Sequence, residues 1–132
     1  MPLERINPTG MYQPNRNIYS QVVKATGATQ VHVAGTVPFD DEQNVVGIGD
    51  MRAQVLKILE NLEISLNAGG AGRADVVRIS VFAVDVEAYV SEGAPEVLAF
   101  FGDSKPVSTT VQVPRLVHPD WLVEIVATAI IV

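Results

Sequence analysis

The last eleven residues, Leu122 to Val132, constrain this chain more than any other segment. They read as a strand, yet both faces are apolar apart from Glu124 and Thr128. A strand with one wet face carries polar residues at every second position, whereas one covered on both sides does not. The segment therefore belongs in the centre of a sheet or beneath a subunit interface. Glu124 is its anomaly. The same-face neighbours are Leu122, Val126, Thr128 and Ile130, and a carboxylate among them is costly unless paired, hydrogen-bonded or protonated. Such surroundings raise a carboxyl pKa toward the range useful for acid–base catalysis. A strand-end carboxylate reaching solvent, or an interface salt bridge, accounts for the same residue without chemistry.

The remaining segments read as an α+β chain. Tyr19–Lys24 and Thr29–Gly35 are β-branched runs separated by Ala25-Thr26-Gly27-Ala28, a pattern that predicts a hairpin. Asp50 caps a helix in which Met51, Val55, Ile58, Leu62 and Leu66 recur at spacings of three and four. Gly69-Gly70 ends it, because glycine tolerates the left-handed conformation of a C-terminal cap. Asp75–Val84 predicts a strand with Val76, Arg78, Ser80 and Phe82 on one face and Val77, Ile79, Val81 and Ala83 on the other. A second helix is expected over 87–101, broken or kinked by Gly93 and Pro95, and a strand over Val107–Val113. Strands and helices are partly segregated along the chain.

Composition excludes several functional classes. The 132 residues suit one domain, 1–132, and are 48% hydrophobic and 18% charged, which is globular. No cysteine is present, so disulfides and thiolate metal sites are out. No apolar run reaches the roughly 18–20 residues of a membrane span. The N-terminal MPLERINPTG lacks a basic segment leading into an apolar one, so a cytoplasmic location is the expectation. The net charge is −6 and the nine Lys and Arg are scattered singly, which argues against nucleic acid and anionic lipid as partners. A small molecule or the protein itself is the expected partner, and no cofactor or metal is called for.

Other candidate groups are weak. His32 and His118 lack ligand-spaced neighbours and read as strand and loop residues. Gly69-Gly70-Ala71-Gly72 follows a helix, whereas a phosphate cradle follows a strand and opens one. Hydroxyls beside Tyr19-Ser20-Gln21 and Ala34-Gly35-Thr36 more often satisfy nearby backbone than bind ligand.

Read in order, the chain resembles the Rid (YjgF-like) family. The landmarks are Tyr19-Ser20-Gln21, Val33-Ala34-Gly35-Thr36-Val37-Pro38-Phe39-Asp40, Gln54, Leu59-Glu60-Asn61-Leu62 and Ala68-Gly69-Gly70. They continue through Asp75-Val76-Val77, Val81-Phe82, Asp85, Phe100-Phe101-Gly102-Asp103, Pro106 and Leu122-Val123-Glu124-Ile125. Each is generic alone; their order and spacing are specific.

The resemblance implies a chorismate-mutase-like α+β fold, a mixed sheet backed by two helices, in a homotrimer whose sheets form an inner barrel. It implies ligand clefts between subunits, where deaminase members hydrolyse enamines and imines such as 2-aminoacrylate to a keto acid and ammonia. There an arginine holds the substrate carboxylate and a last-strand glutamate handles the attacking water. Glu124 matches that glutamate; Tyr19 and the Gly35-Thr36 backbone match cleft-lining groups.

The arginine does not match. The family pattern Pro-x-Arg-Ser/Thr-x-Val-x-Val is here Pro106-Val107-Ser108-Thr109-Thr110-Val111-Gln112-Val113, with Ser108 in the guanidinium's place. An asparagine common in the second helix is also missing, and about one extra residue lies near Glu92-Gly93-Ala94; a further residue is inserted between Leu116 and Glu124. Losing a charge-assisted bond of about 1.5–3 kcal/mol weakens a small 2-imino acid roughly ten- to a hundredfold. Arg115, Lys105, Arg16 and Arg78 are the other cations in play, and the sequence places none at the cleft.

Two readings follow. In one, a divergent imine hydrolase uses Glu124 to activate water, Ser108 and Thr110 to hold substrate and Tyr19 to line the pocket. In the alternative, a non-catalytic trimer binds a small metabolite or acts as a chaperone-like regulatory partner. Ribonuclease activity, sometimes attached to the family's name, conflicts with the acidic charge.

Overall fold

A computed structural model describes residues 3–10, 13–14, 19–20, 22–27 and 29–132. In chain order the elements are β1 (Leu3–Ile6), β2 (Val22–Ala25), β3 (Thr29–Thr36), α1 (Met51–Ala68), β4 (Val76–Ala83), a helical segment α2, β5 (Val107–Gln112) and β6 (Val123–Ile131). α2 begins as a helical turn Val86–Ala88, passes through a π-helical turn Tyr89–Gly93 and ends as the α-helix Ala94–Phe101.

The main sheet has the order β3-β6-β4-β5, with β4 and β5 parallel and the other pairs antiparallel. The last strand therefore lies inside the sheet, as its apolar faces require. Val123, Ile125, Ala127 and Ala129 are buried on its helix side. The opposite side, with Glu124, Val126, Thr128 and Ile130, is only half-buried. Among the described residues no helix is long and apolar enough to cross a membrane.

The first helix follows its sequence pattern closely. The Asp50 carboxylate accepts the Ala53 N–H at 3.0 Å, and Met51, Val55, Ile58, Leu62 and Leu66 are all buried. At the other end Gly70 adopts φ 82°, letting its N–H reach Asn67 O at 3.0 Å and that of Ala71 reach Leu66 O at 2.9 Å. That bond pair closes the carbonyl end of the helix, so the glycine-rich stretch is a cap.

Three expectations need correction. β2 and β3 do not form a hairpin: β2 pairs with β1 in a separate two-stranded sheet, and β3 pairs with β6. Of the turn between them, Ala28 lies outside the described residues. Gly27 packs so tightly on the chain end that an added Cβ would strike Val132 and sit 3.2 Å from Ile131 O. That contact delivers β3 to β6 rather than back to β2. In β4, a register irregularity between Val76 and Arg78 puts Val76 on the buried side with Ile79, Val81 and Ala83. Finally, α2 does not break at Gly93 and Pro95. The π turn absorbs the additional residue while the backbone stays helical, and Pro95 falls in the first turn of the following α-helix, where a missing N–H costs little.

Candidate functional site

The candidate residues divide between the two faces of the main sheet. Ser108 pairs with Ile79 and Thr110 with Val81, so both side chains point to the helix side. There they line a cavity of about 410 Å³ together with Tyr19, Tyr89 and Lys105. Val97, Leu98 and Phe101 of α2 give it an apolar wall.

Tyr89 is missing from the sequence reading. Its ring is buried, and burial raises its phenol far above the usual value, keeping it a hydrogen-bond donor. Among the described residues its hydroxyl has no hydrogen-bond partner. The π turn places it. Gly93 lies against the ring, and a Cβ there would come 2.8 Å from Tyr89 Cδ1 and 2.9 Å from Val55 Cγ2. The extra residue in the second helix was the available signal, because π turns often mark functional positions.

Glu124 lies on the other face, opposite Phe82. β3 carries a bulge here: Val33 pairs with Ala127 and Thr36 with Ile125, so three steps of β3 match two of β6. The bulge turns both Ala34 and Gly35 outward, and the Glu124 carboxylate leans across Gly35. A Cβ on Gly35 would meet that carboxylate, with Glu124 Cδ only 2.9 Å away. Among the described residues the carboxylate has no hydrogen-bond or ion-pair partner, and desolvation raises its pKa above the ordinary 4.5. Within the described protomer no salt bridge neutralises it, and the side chain is only partly buried.

Gln54, fully buried in α1, sets where this strand begins. Its Nε2 donates to Gly47 O at 3.1 Å and Asp120 O at 2.9 Å, while Oε1 accepts from Leu122 N at 2.8 Å. Leu122 is two residues from Glu124. The remaining candidates are not part of either half. The Thr36 hydroxyl is buried and donates to Ala34 O at 3.0 Å, satisfying local backbone. His32 is exposed beside Gln30, and His118 stacks on Trp121 with centroids 5.6 Å apart.

The four cations also sort themselves. Arg78 is exposed, and Arg115 folds onto the carbonyls of Leu116 and Val117. Arg16 and Gln21 lie outside the described residues. Of the three that are described, Lys105 lines the cavity. No group of three or more His, Asp or Glu among the described residues is arranged to hold a metal.

Comparison with known proteins places the fold. Residues 12–131 match the family model described as Endoribonuclease L-PSP. A crystal structure of YyfB from Yersinia pestis, described as a protein of unknown function of the conserved Rid family, superposes with a TM-score of 0.92. It is 32% identical, and the match covers 99% of this chain and 100% of that one. This chain belongs to the Rid family. A RutC family protein of Pyrococcus horikoshii is 36% identical over 84% of this chain and 85% of its own length. A Mycobacterium tuberculosis structure of the YjgF/YER057c/UK114 family is 34% identical at a TM-score of 0.66, covering 88% of this chain and 89% of that one. The Rid fold is thus shared over nearly the whole chain.

Proposed function

We propose that this Rid-family protein hydrolyses a reactive imine, or the enamine that tautomerises to it, in clefts completed by a second copy of the chain. The observation that carries this reading is the Glu124 carboxylate, unpaired among the described residues, leaning over Gly35 with a raised pKa. Such a group is a stronger base than a solvated carboxylate and is not held in a salt bridge by the described protomer. Water oxygen bonds to the imine carbon, the C=N electron pair moves to nitrogen, and Glu124 takes the water proton. Returned to nitrogen, that proton completes a neutral carbinolamine; moving its hydroxyl proton to nitrogen through the same carboxylate then lets C=O form and the C–N bond break, leaving a carbonyl compound and ammonia. Ser108 and Thr110 hydrogen-bond the substrate, and Tyr19 lines its pocket. The imine carbon is already electrophilic, so orientation and proton transfer suffice.

Opposite sheet faces require the second copy. Ser108 and Glu124 are two strands apart, roughly 10 Å, with the sheet itself between them. One protomer cannot present both to a small imine, whereas a neighbour's Glu124 face docked beside the cavity can. A trimer supplies three such clefts and covers the half-buried side of β6. Light scattering at three times the 14.2 kDa chain mass is the expected result; a monomer refutes the cleft.

Ser108 in place of arginine favours one alternative, binding of a metabolite without turnover. Ammonia or keto-acid release from freshly generated 2-aminoacrylate and larger imines separates the two, with Glu124→Ala as control. No acceleration over the spontaneous rate for any imine leaves only binding. The nuclease activity in the family description is not part of this proposal, because the chain is acidic and, among the described residues, a single cation lines its cavity.

A further inference from the structure

We propose that Lys105 is the carboxylate anchor of this protein, and that its preferred substrates are 2-imino acids with an apolar side chain large enough to fill the cavity. The proposal rests on reading the cleft as an imine site and names what that site selects. Among the described residues Lys105 is the only charged one lining the cavity, in a chain of net charge −6. Its ammonium donates to Gly102 O at 2.9 Å. A lysine has three donors, so two are left for a ligand. Among the described residues no carboxylate lies within ion-pair distance of it, although three other pairs form on the surface. An ammonium at the edge of an apolar cavity, with no counter-ion among the described residues, is matched by an anion.

The root of this side chain is held in place. Lys105 O accepts the Ser20 hydroxyl at 2.7 Å and Arg5 Nε at 3.2 Å, and Pro106 O accepts the Ser20 N–H at 3.3 Å. The segment containing Tyr19 is thereby tied to the residue before β5. Lys105 precedes Ser108 by three positions, about 10 Å of extended chain, and its four-carbon stem spans part of that distance. A carboxylate bound to it sits toward the start of β5 rather than at Ser108.

This displacement frees the space between Tyr89, Val97, Leu98 and Phe101 for a side chain. A three-carbon imine would leave most of the 410 Å³ as water against apolar walls. Each methylene buried there instead improves affinity about fourfold. Lysine is a point charge without the planar fork of arginine, so orientation passes from the bidentate contact to those walls.

The test pairs two imines that differ in the carboxylate. An amino-acid oxidase acting on phenylalanine generates the 2-imino acid in situ, and an amine oxidase acting on 2-phenylethylamine generates its carboxylate-free counterpart. Lys105→Met is expected to lower kcat/KM for the first about ten- to a hundredfold and leave the second within twofold, while Lys105→Arg restores the first. Equal loss on both imines, or no loss on either, overturns the proposal. Equilibrium titration with phenylpyruvate decides it independently of turnover. Binding weakened tenfold or more by Lys105→Met and recovered by Lys105→Arg sustains the anchor; unchanged binding refutes it. If no imine is turned over while this titration succeeds, the hydrolase reading fails and the anchor stands.

Discussion

The two faces of one sheet carry opposite solutions to placing polar groups in apolar surroundings. On the helix side, the cavity holds neutral hydroxyls and one lysine among aromatic and aliphatic walls. On the far side, a bulge and a glycine open room for a single carboxylate that nothing else in the described protomer neutralises. The first arrangement suits recognition, since hydroxyls and a flexible cation tolerate ligands of varied shape. The second suits proton transfer, since a desolvated carboxylate is a stronger base than a solvated one. Neither face does both. A β-strand alternates its side chains across the sheet, so adjacent functions end up divided unless another surface is brought alongside.

Substituting Glu124 tests this contrast most severely. Glu124→Gln preserves the shape of the outer face and removes the base, so kcat/KM is expected to fall about a hundredfold or more. The wild-type acidic limb should lie above pH 4.5, in line with the raised pKa, and disappear in the variant. Stability should move the other way. Because the folded pKa exceeds the unfolded one, the native state binds more protons and loses stability as pH rises through that window. Urea melts of Glu124→Gln at pH 7 should therefore show stability equal to or above wild type. A variant that is both inactive and strongly destabilised would make the carboxylate structural.

Ser108→Arg sharpens the other side of the comparison. A guanidinium added to the cavity should raise turnover of 2-aminoacrylate about ten- to a hundredfold while the acidic limb from Glu124 stays in place. A gain accompanied by a shifted limb would mean that the two faces are not independent. The smallest effect is expected at Gly93. Gly93→Ala forces a methyl group against Tyr89 and Val55, costing about 1–3 kcal/mol in denaturant unfolding. Its activity loss should concentrate in KM, because Tyr89 belongs to the recognition face.

Much of the fold was legible along the chain. The 51–66 periodicity, the Asp50 cap and the Gly69-Gly70 stop are local signals, and α1 obeys them. The central position of β6 followed from its doubly apolar pattern, and Glu124 stood out for the same reason. Ser108 was expected as a departure from the resembled motif because that motif is sequential. The hairpin expectation failed because β-branched runs specify strands but not partners, and contact at Gly27 with the chain terminus chose the partner.

What the sequence determined by itself was thus the kind of each element and the oddity of one carboxylate, properties set by periods of 2 and 3.6 residues and by backbone preference. Tertiary structure alone decided which groups share a space. Gln54 reaches Leu122 across 68 positions, Lys105 is held by Ser20 across 85, and Tyr89 meets the cavity because a π turn rotates it there. Ser108 and Glu124 lie only 16 positions apart in sequence yet on opposite faces. The physical reason is that strand alternation and pairing register assign faces, and register is fixed by packing between residues remote in sequence.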